Sequence, residues 1–279
     1  MFYTHNLEPI AFTLFGFPVR WYGISYLLFY LTAIYVYPTI LKKRYVMIHE
    51  KVTDFVTFCL ISALIGGRVG HVFGYEFSRF INDPISLFKV WNGGMSFHGG
   101  LVGVLIFTLY KSRCQLLTML RYLDCVAMTV PCGILLGRIA NFINAEIIGT
   151  PTDQTWGVFF HRTDLIARHP VPLYEAFIEG FIVGAILIYL FLRTKLPEKP
   201  GAIAAIFAIL YAITRIICEF WRMPDGIVHI FGVTLSLGQF YSIPVLVSGL
   251  ALISYILSVH AHQDDNQAAQ KLISIEGLK

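Results

Sequence analysis

Charge is what this sequence has least of. Asp, Glu, Lys and Arg make up 14% of 279 residues, where a soluble domain carries about 25%. With a mean hydropathy of +0.67, that scarcity excludes an ordinary soluble protein. Cysteine is sparse as well: there are five, and Cys59, Cys114, Cys125, Cys132 and Cys218 form no C-x-x-C pair. A disulfide scaffold is therefore excluded, and the five read as small apolar filler. The net charge is only +4, and no basic stripe follows one helix, so nucleic acid is not an expected partner. Abundant Phe, Tyr and Ile are the opposite of a disordered composition. Neither an internal repeat nor a long linker divides the chain.

What the sequence does have is long apolar runs. A bilayer core about 30 Å thick takes roughly 20 apolar residues in a helix. Seven stretches approach that length: Tyr22 to Leu41, Val52 to Tyr75, Phe97 to Tyr110, Leu123 to Ile143, Leu173 to Leu192, Ala202 to Phe220 and Gly238 to Val259. The expected fold is all-α, a polytopic integral membrane protein of about seven transmembrane helices. Residues 1–259 are expected to form a single bundle, with outer-surface segments near 76–96 and 145–171 and a polar cytoplasmic tail over 260–279. The first run is long for a signal peptide, follows no basic segment and precedes no A-x-A site, so cleavage is not expected. With the N-terminus outside, twelve Lys and Arg fall on the cytoplasmic side and six on the outer side. The positive-inside rule thus puts the N-terminus in the periplasm and the C-terminus in the cytoplasm. Glycine pairs at Gly66/Gly70, Gly99/Gly103, Gly133/Gly137 and Gly180/Gly184 are spaced for close helix packing.

Ionisable groups inside such spans are costly and are functional candidates by default. In this topology Arg68, Arg138, Asn141, Arg215 and Glu219 come late in outward-running spans. Tyr22, His98, Glu175 and Glu179 come early in inward-running ones. All fall in the outer half of the membrane, which argues for a cavity open to the outer leaflet rather than an ion path across the bilayer. Tyr211, Arg215, Glu219 and Arg222 share one helix face, and so do Arg138, Asn141 and Asn144. The two stripes are expected to face each other or a common cavity. Plainer readings exist: Arg68 and Arg222 as snorkelling interface residues, Glu219 as the neutralising partner of Arg215, and His98 as an interfacial histidine. His260 and His262 lack a third ligand nearby, so no metal or organic cofactor is expected.

The stretch Gly137-Arg138-Ile139-Ala140-Asn141-Phe142-Ile143-Asn144-Ala145-Glu146, followed by Gly149, resembles the signature of the phosphatidylglycerol:prolipoprotein diacylglyceryl transferase family. Further segments resemble family motifs in the same order: Trp21-Tyr22-Gly23, Gly66-Gly67-Arg68, the run from Trp91 to Gly100, and Arg168-His169-Pro170 with Leu173-Tyr174-Glu175. Tyr211 through Arg215 to Arg222, and Gly238-Gln239 with Ser242 and Pro244, complete the set. Together they cover nearly the whole chain.

The resemblance implies transfer of a diacylglyceryl group from phosphatidylglycerol to the lipobox cysteine of a preprolipoprotein in the bacterial inner membrane, releasing glycerol 1-phosphate. It marks Tyr22, His98, Arg138, Asn141, Glu146, Tyr211, Arg215 and Glu219 as site residues, with Arg68 as a further lipid-binding candidate. The residue types suit that chemistry. Guanidinium groups bind phosphate by charge-assisted, often bidentate hydrogen bonds, which suits Arg138 and Arg215. A thiol of pKa about 8.5 needs a base or a positive field to react near neutral pH, which suits His98. Asn141 and Tyr22 offer neutral hydrogen bonds, and Glu146 and Glu219 can orient arginines or bind glycerol hydroxyls. The segment between Gly149 and Arg168 looks shorter than its counterpart in many family members. Two other readings are weighed. A retinal protein would need a lysine in the last span, which has none. An outer-leaflet anion or phospholipid transporter would usually show paired halves and broken helices, and neither is evident.

Overall fold

The computed structural model describes residues 3–44, 49–89, 94–161, 163–164, 166–230 and 232–276, with backbone alone for 49–52, 97–98 and 260–276. Its helices, in chain order, are α1 (Trp21–Leu41), α2 (His49–Tyr75), α3 (Phe77–Asn82), α4 (Phe97–Lys111), α5 (Leu116–Ile143), α6 (Val171–Arg193), α7 (Ala202–Cys218) and α8 (Leu237–Glu276). Each of the seven apolar runs is a helix. Among the described residues five are long and apolar enough to cross a membrane: α1, α2 over Thr53–Tyr75, α5, α6, and α8 over Leu237–Val259. The apolar helices Gly99–Lys111 and Ala202–Cys218 are shorter. Large apolar side chains such as Phe58, Ile65, Phe181, Val247 and Leu250 point outward from these helices, the pattern expected where the surrounding solvent is lipid.

Two features depart from regular α-helix. In α1 the segment Thr32–Val36, and in α6 the segment Ala176–Ile182, are wound as π-helix, a rare form that is frequent at functional sites. Moreover, α8 runs on through the polar stretch to Glu276. The stretch expected as a tail is therefore helical as far as it is described.

The all-α expectation needs correction at the helix ends, where three small sheets form among the described residues. Strand β1 (Tyr3–Thr4) pairs in parallel with β4 (Val158–Phe159), which pairs antiparallel with β5 (Ala167–Arg168). Strands β2 (Ile10–Leu14) and β3 (Phe17–Arg20) make one hairpin, and β6 (Ile227–Ile230) and β7 (Val233–Ser236) another. The first hairpin turns through Phe15 and Gly16 at φ +49° and +83°. Two positive φ values in a two-residue loop match the twist of the strands they join.

The chain divides into two compact units, Tyr30–Val126 and the remainder, with the division falling inside α1 and inside α5. In the Tyr30–Val126 unit, α2 and α4 meet backbone to backbone. A Cβ on Gly70 would lie 2.7 Å from the Gly99 Cα, and one on Gly66 would strike the Gly99 carbonyl. Beside this seam Phe55 is fully buried and stacks on Tyr122 at 4.3 Å. In the other unit α5 and α6 meet similarly: a Cβ on Gly180 would lie 2.7 Å from the Leu135 backbone, and one on Gly184 3.2 Å from Pro131. Gly137 meets nothing within 4 Å, so packing does not account for it. The close approaches at Gly180 and Gly184 bring α5 and α6 together near the end of α5 that carries its polar stripe.

Candidate active site

The C-terminal closure of helix α5 sets the position of Glu146. The Glu146 amide bonds to the Asn141 carbonyl at 2.9 Å and the Ala145 amide to the Phe142 carbonyl at 3.0 Å. This is the paired closure that normally has glycine at its left-handed position. Here that position is Ala145 at φ +56°, and Ile147 comes next at +58°. Two non-glycine residues in the left-handed region, one of them β-branched, are strained, and they flank Glu146. The turn folds Glu146 back onto its own helix, where Asn141 Nδ2 donates to Glu146 Oε2 and to the Tyr22 hydroxyl, both at 2.9 Å. Asn144 adds a longer bond to Glu146 Oε1 at 3.3 Å. Tyr22, Asn141 and Glu146 thus form one connected set.

One turn earlier on α5, Arg138 enters a second set. Its Nε lies 3.1 Å from Glu175 Oε2 and its Nη2 3.8 Å from Glu179 Oε2, both on α6. From α7, Arg215 reaches the same two carboxylates, pairing closely with Glu175 and at 3.6 Å with Glu179, while its other terminal nitrogen pairs closely with Glu219. Arg222 completes the network, 3.2 Å from Glu175 Oε1 and 3.6 Å from Glu219 Oε1. Glu175 and Glu179 have no exposed side-chain surface, whereas Arg138 keeps 20% and Arg215 11% of theirs. Three guanidinium groups face three buried carboxylates, and Arg222 Nη2 also pairs with the exposed Asp225 at 2.6 Å, so each buried charge is compensated and its burial is tolerable. The carboxylates lie behind, and the accessible surface belongs to the cations. Tyr211, one turn before Arg215, stacks against Phe207 at 5.7 Å. The two stripes of α5 and α7 do meet, through α6.

Glu175, Glu179 and Arg222 stand in the sequence as charged residues in or beside spans, outside the set of expected site residues. Their signal is the i, i+4 spacing of the two glutamates on a single face, opposite in sign to the arginine stripes.

A third feature lies in the same unit, between α5 and α6 in the chain. Arg168 grips Asp164 through Nε at 3.0 Å and Nη2 at 2.6 Å, and donates to the Gly149 carbonyl at 3.0 Å. The Arg168 guanidinium holds the Asp164 carboxyl below the usual carboxylate range. Gly149 is dictated by close approach, since a Cβ there would collide with the His169 carbonyl. Next to it opens a cleft of about 650 Å³, lined by Pro151, Thr152, Asp153, Gln154, Trp156, His169 and Trp221. The Tyr174 hydroxyl accepts from Trp156 Nε1 at 2.8 Å and lies 3.1 Å from His169 Nδ1. The cleft adjoins the charged network along the chain: Trp221, which lines it, precedes Arg222, and Tyr174, bonded to Trp156, precedes Glu175.

The remaining site expectations fall in the Tyr30–Val126 unit. Arg68 is buried and donates to three backbone carbonyls, those of Leu87 at 3.1 Å, Gly94 at 3.2 Å and Ser86 at 2.6 Å. In this structure it ties down the chain after α3 at Ser86, Leu87 and Gly94. His98 is the second residue of α4, behind the cap in which Ser96 Oγ accepts from the Gly99 amide at 3.2 Å. The His98 side chain lies outside the described residues, as do Trp91, Asn92 and Gly93. No three His, Cys, Asp or Glu side chains group as metal ligands among the described residues.

Residues 9–255 match the family described as prolipoprotein diacylglyceryl transferase. The phosphatidylglycerol–prolipoprotein diacylglyceryl transferase of Rickettsia felis is 40% identical over 249 residues, 89% of this chain and 96% of its own. That of Rickettsia canadensis is 39% identical over the same shares. A Janthinobacterium relative of the same name is 36% identical, covering 88% of this chain and 94% of its own. With a match running nearly end to end and an arginine network at its centre, this chain belongs to the prolipoprotein diacylglyceryl transferase family.

Proposed function

We propose that this chain carries out the reaction for which its relatives are named. The cysteine sulfur of a prolipoprotein attacks the glycerol carbon that bears the phosphate of phosphatidylglycerol. The carbon–oxygen bond breaks, a thioether forms, and the phosphate leaves as glycerol 1-phosphate with the bonding electron pair. The thiol proton goes to a base.

One observation carries this reading: Arg138 and Arg215, from different helices, converge on one pair of buried carboxylates. The phosphodiester enters with one negative charge and leaves as a monoester bearing two. Guanidinium groups fixed beside it therefore bind the transition state more tightly than the ground state, which is what lowers a barrier. Glu175 and Glu179 hold the two arginines in place beforehand, so no reorganisation is needed at the moment of reaction. Tyr22 and Asn141, tied to Glu146, supply neutral hydrogen bonds for the headgroup. Tyr211 on the same helix and Glu219 at its C-terminal cap flank Arg215. We assign the thiol proton to His98, at the start of α4. Arg68 contributes by fixing the segment that leads to Gly94, and not by direct phosphate contact.

In our reading all seven apolar helices cross the bacterial inner membrane, N-terminus outside, with the site in the outer leaflet. The distribution of Lys and Arg supports that orientation. The test supplies purified protein in detergent with phosphatidylglycerol and a lipobox peptide. Thioether peptide and glycerol 1-phosphate are expected in equal amounts. If neither forms while the protein moves phosphatidylglycerol between vesicle leaflets, it is a transporter and the proposal fails.

A further inference from the structure

The N-terminus of α8 bears on Arg215 in a way the transfer reaction does not use. Ser236 caps this helix. Its Oγ accepts from the Gln239 amide at 3.1 Å, and Gln239 Oε1 accepts from the Ser236 amide at 3.1 Å. This is the reciprocal capping box expected of Ser-x-x-Gln. The serine hydroxyl has one proton left to give, and it goes to Glu219 Oε2 at 2.5 Å. The other Glu219 oxygen pairs with Arg215. Between the two capping residues stands Gly238, whose missing Cβ leaves the space that the Glu219 carboxylate fills. The carboxylate is therefore seated against the first turn of a long helix, where amide donors and the helix dipole favour negative charge.

We propose that Ser236 is a positioning residue for the lipid phosphate, acting through Glu219 on Arg215. A carboxylate with both oxygens available tends to take a guanidinium in the bidentate manner, using two N–H groups at once. By claiming Oε2, Ser236 restricts Glu219 to a single oxygen on Arg215. The edge of the guanidinium thereby spared is the one a phosphate needs. Removing the hydroxyl lets Glu219 turn and close that edge, so the lipid must compete with an internal anion.

This inference rests on Arg215 as a phosphate ligand, and the test separates it from the transfer reaction by measuring binding as well as turnover. Phosphatidylglycerol affinity is measured in detergent for wild type, Ser236→Ala, Ser236→Thr and Gln239→Ala, together with KM and kcat for lipid and peptide. Ser236→Ala is expected to weaken lipid binding and raise the lipid KM about tenfold, the scale of one lost hydrogen bond to a charged group. Its kcat at saturating lipid and its peptide KM stay within about threefold of wild type. Ser236→Thr, which keeps the hydroxyl, restores the lipid KM. Gln239→Ala removes one capping bond but leaves the hydroxyl on Glu219, so it lowers thermal stability without moving the lipid affinity. Equal lipid affinity in Ser236→Ala and wild type would overturn the proposal. So would equal losses in Ser236→Ala and Gln239→Ala, because the cap alone would then be responsible. Wild type that binds lipid but transfers nothing would defeat the transfer reaction, while the affinity comparison would still decide the role of Ser236.

Discussion

Arg68, buried, and Arg215, partly exposed, both come late in apolar helices, yet they have opposite surroundings. Arg68 gives its protons to the carbonyls of Ser86, Leu87 and Gly94, so its work is to shape a loop. Arg215 meets carboxylates on Glu175, Glu179 and Glu219, so its work is electrostatic and its partners are themselves charged. The backbone differs in the same sense. Near Arg68 the left-handed position is Gly94 at φ +82°, where a Cβ would also strike His71. Beside Asn141 the equivalent positions are Ala145 and Ile147. One region is relaxed and structural. The other holds paired charge and strain together, the combination expected where geometry is kept for chemistry.

The largest test of this contrast removes the charged side of it. Arg138→Ala and Arg215→Ala should each lower turnover by about 10³-fold, at the upper end for loss of a transition-state donor, with the protein still inserted and monodisperse. Full activity in either would erase the distinction. Next, Glu175→Gln strips a buried carboxylate from three arginines, and breaking such a network costs about 3–5 kcal/mol. Unfolding in denaturing detergent should register that loss. Arg68→Ala is expected to cost less, about 1–3 kcal/mol for unsatisfied carbonyls. It should raise hydrogen exchange in residues 84–88 and change phosphatidylglycerol affinity by less than about threefold; a larger loss would move Arg68 into the lipid site. Ala145→Gly should stabilise by about 1 kcal/mol, by relieving left-handed strain. No gain in thermal midpoint would mean that the turn is not strained.

The smallest effect concerns the cleft. Burial pushes the His169 imidazole below its usual value, so between about pH 6.5 and that lowered value the unfolded chain binds the extra proton. Stability is then complete above about pH 6.5 and falls as the pH drops through this window, and His169→Gln should flatten the slope.

Much of the fold could be read from the sequence because lipid imposes a simple rule: apolar runs of sufficient length become helices. The hairpins escaped that reading for a physical reason. Large apolar residues do alternate over Ile10, Phe12 and Leu14, but Phe15, Phe17 and Val19 continue the apolar run and Phe12, Leu14, Phe15 and Phe17 are all exposed, so the stretch has no buried face of the kind that marks a half-buried strand. A Phe-Gly pair stands at Phe15-Gly16 and Phe231-Gly232, but also at Phe73-Gly74 inside α2, so it does not by itself mark a turn. The helix beyond Val259 was missed because polarity suggested a tail, although Ala261 to Glu276 contains no Gly or Pro to stop it. At the site, helical spacing gathered Arg138 with Asn141 and Arg215 with Glu219 correctly onto faces. What spacing could not supply was the partner across the gap, since the pairing of Arg138 with Glu175 depends on how closely α5 and α6 approach at Gly180.

The π-wound segment Ala176–Ile182 lies between Glu175, which faces the arginines, and Gly184, which faces Pro131. Each π turn holds one residue more than an α turn closed at the same height, so this stretch acts as a built-in insertion. Deleting one residue from it, other than Glu179 or Gly180 themselves, would leave a helix of nearly the same reach with its two halves rotated against each other by about 100°. The carboxylates could then meet the arginines, or the glycines could meet α5, but one straight cylinder would not do both.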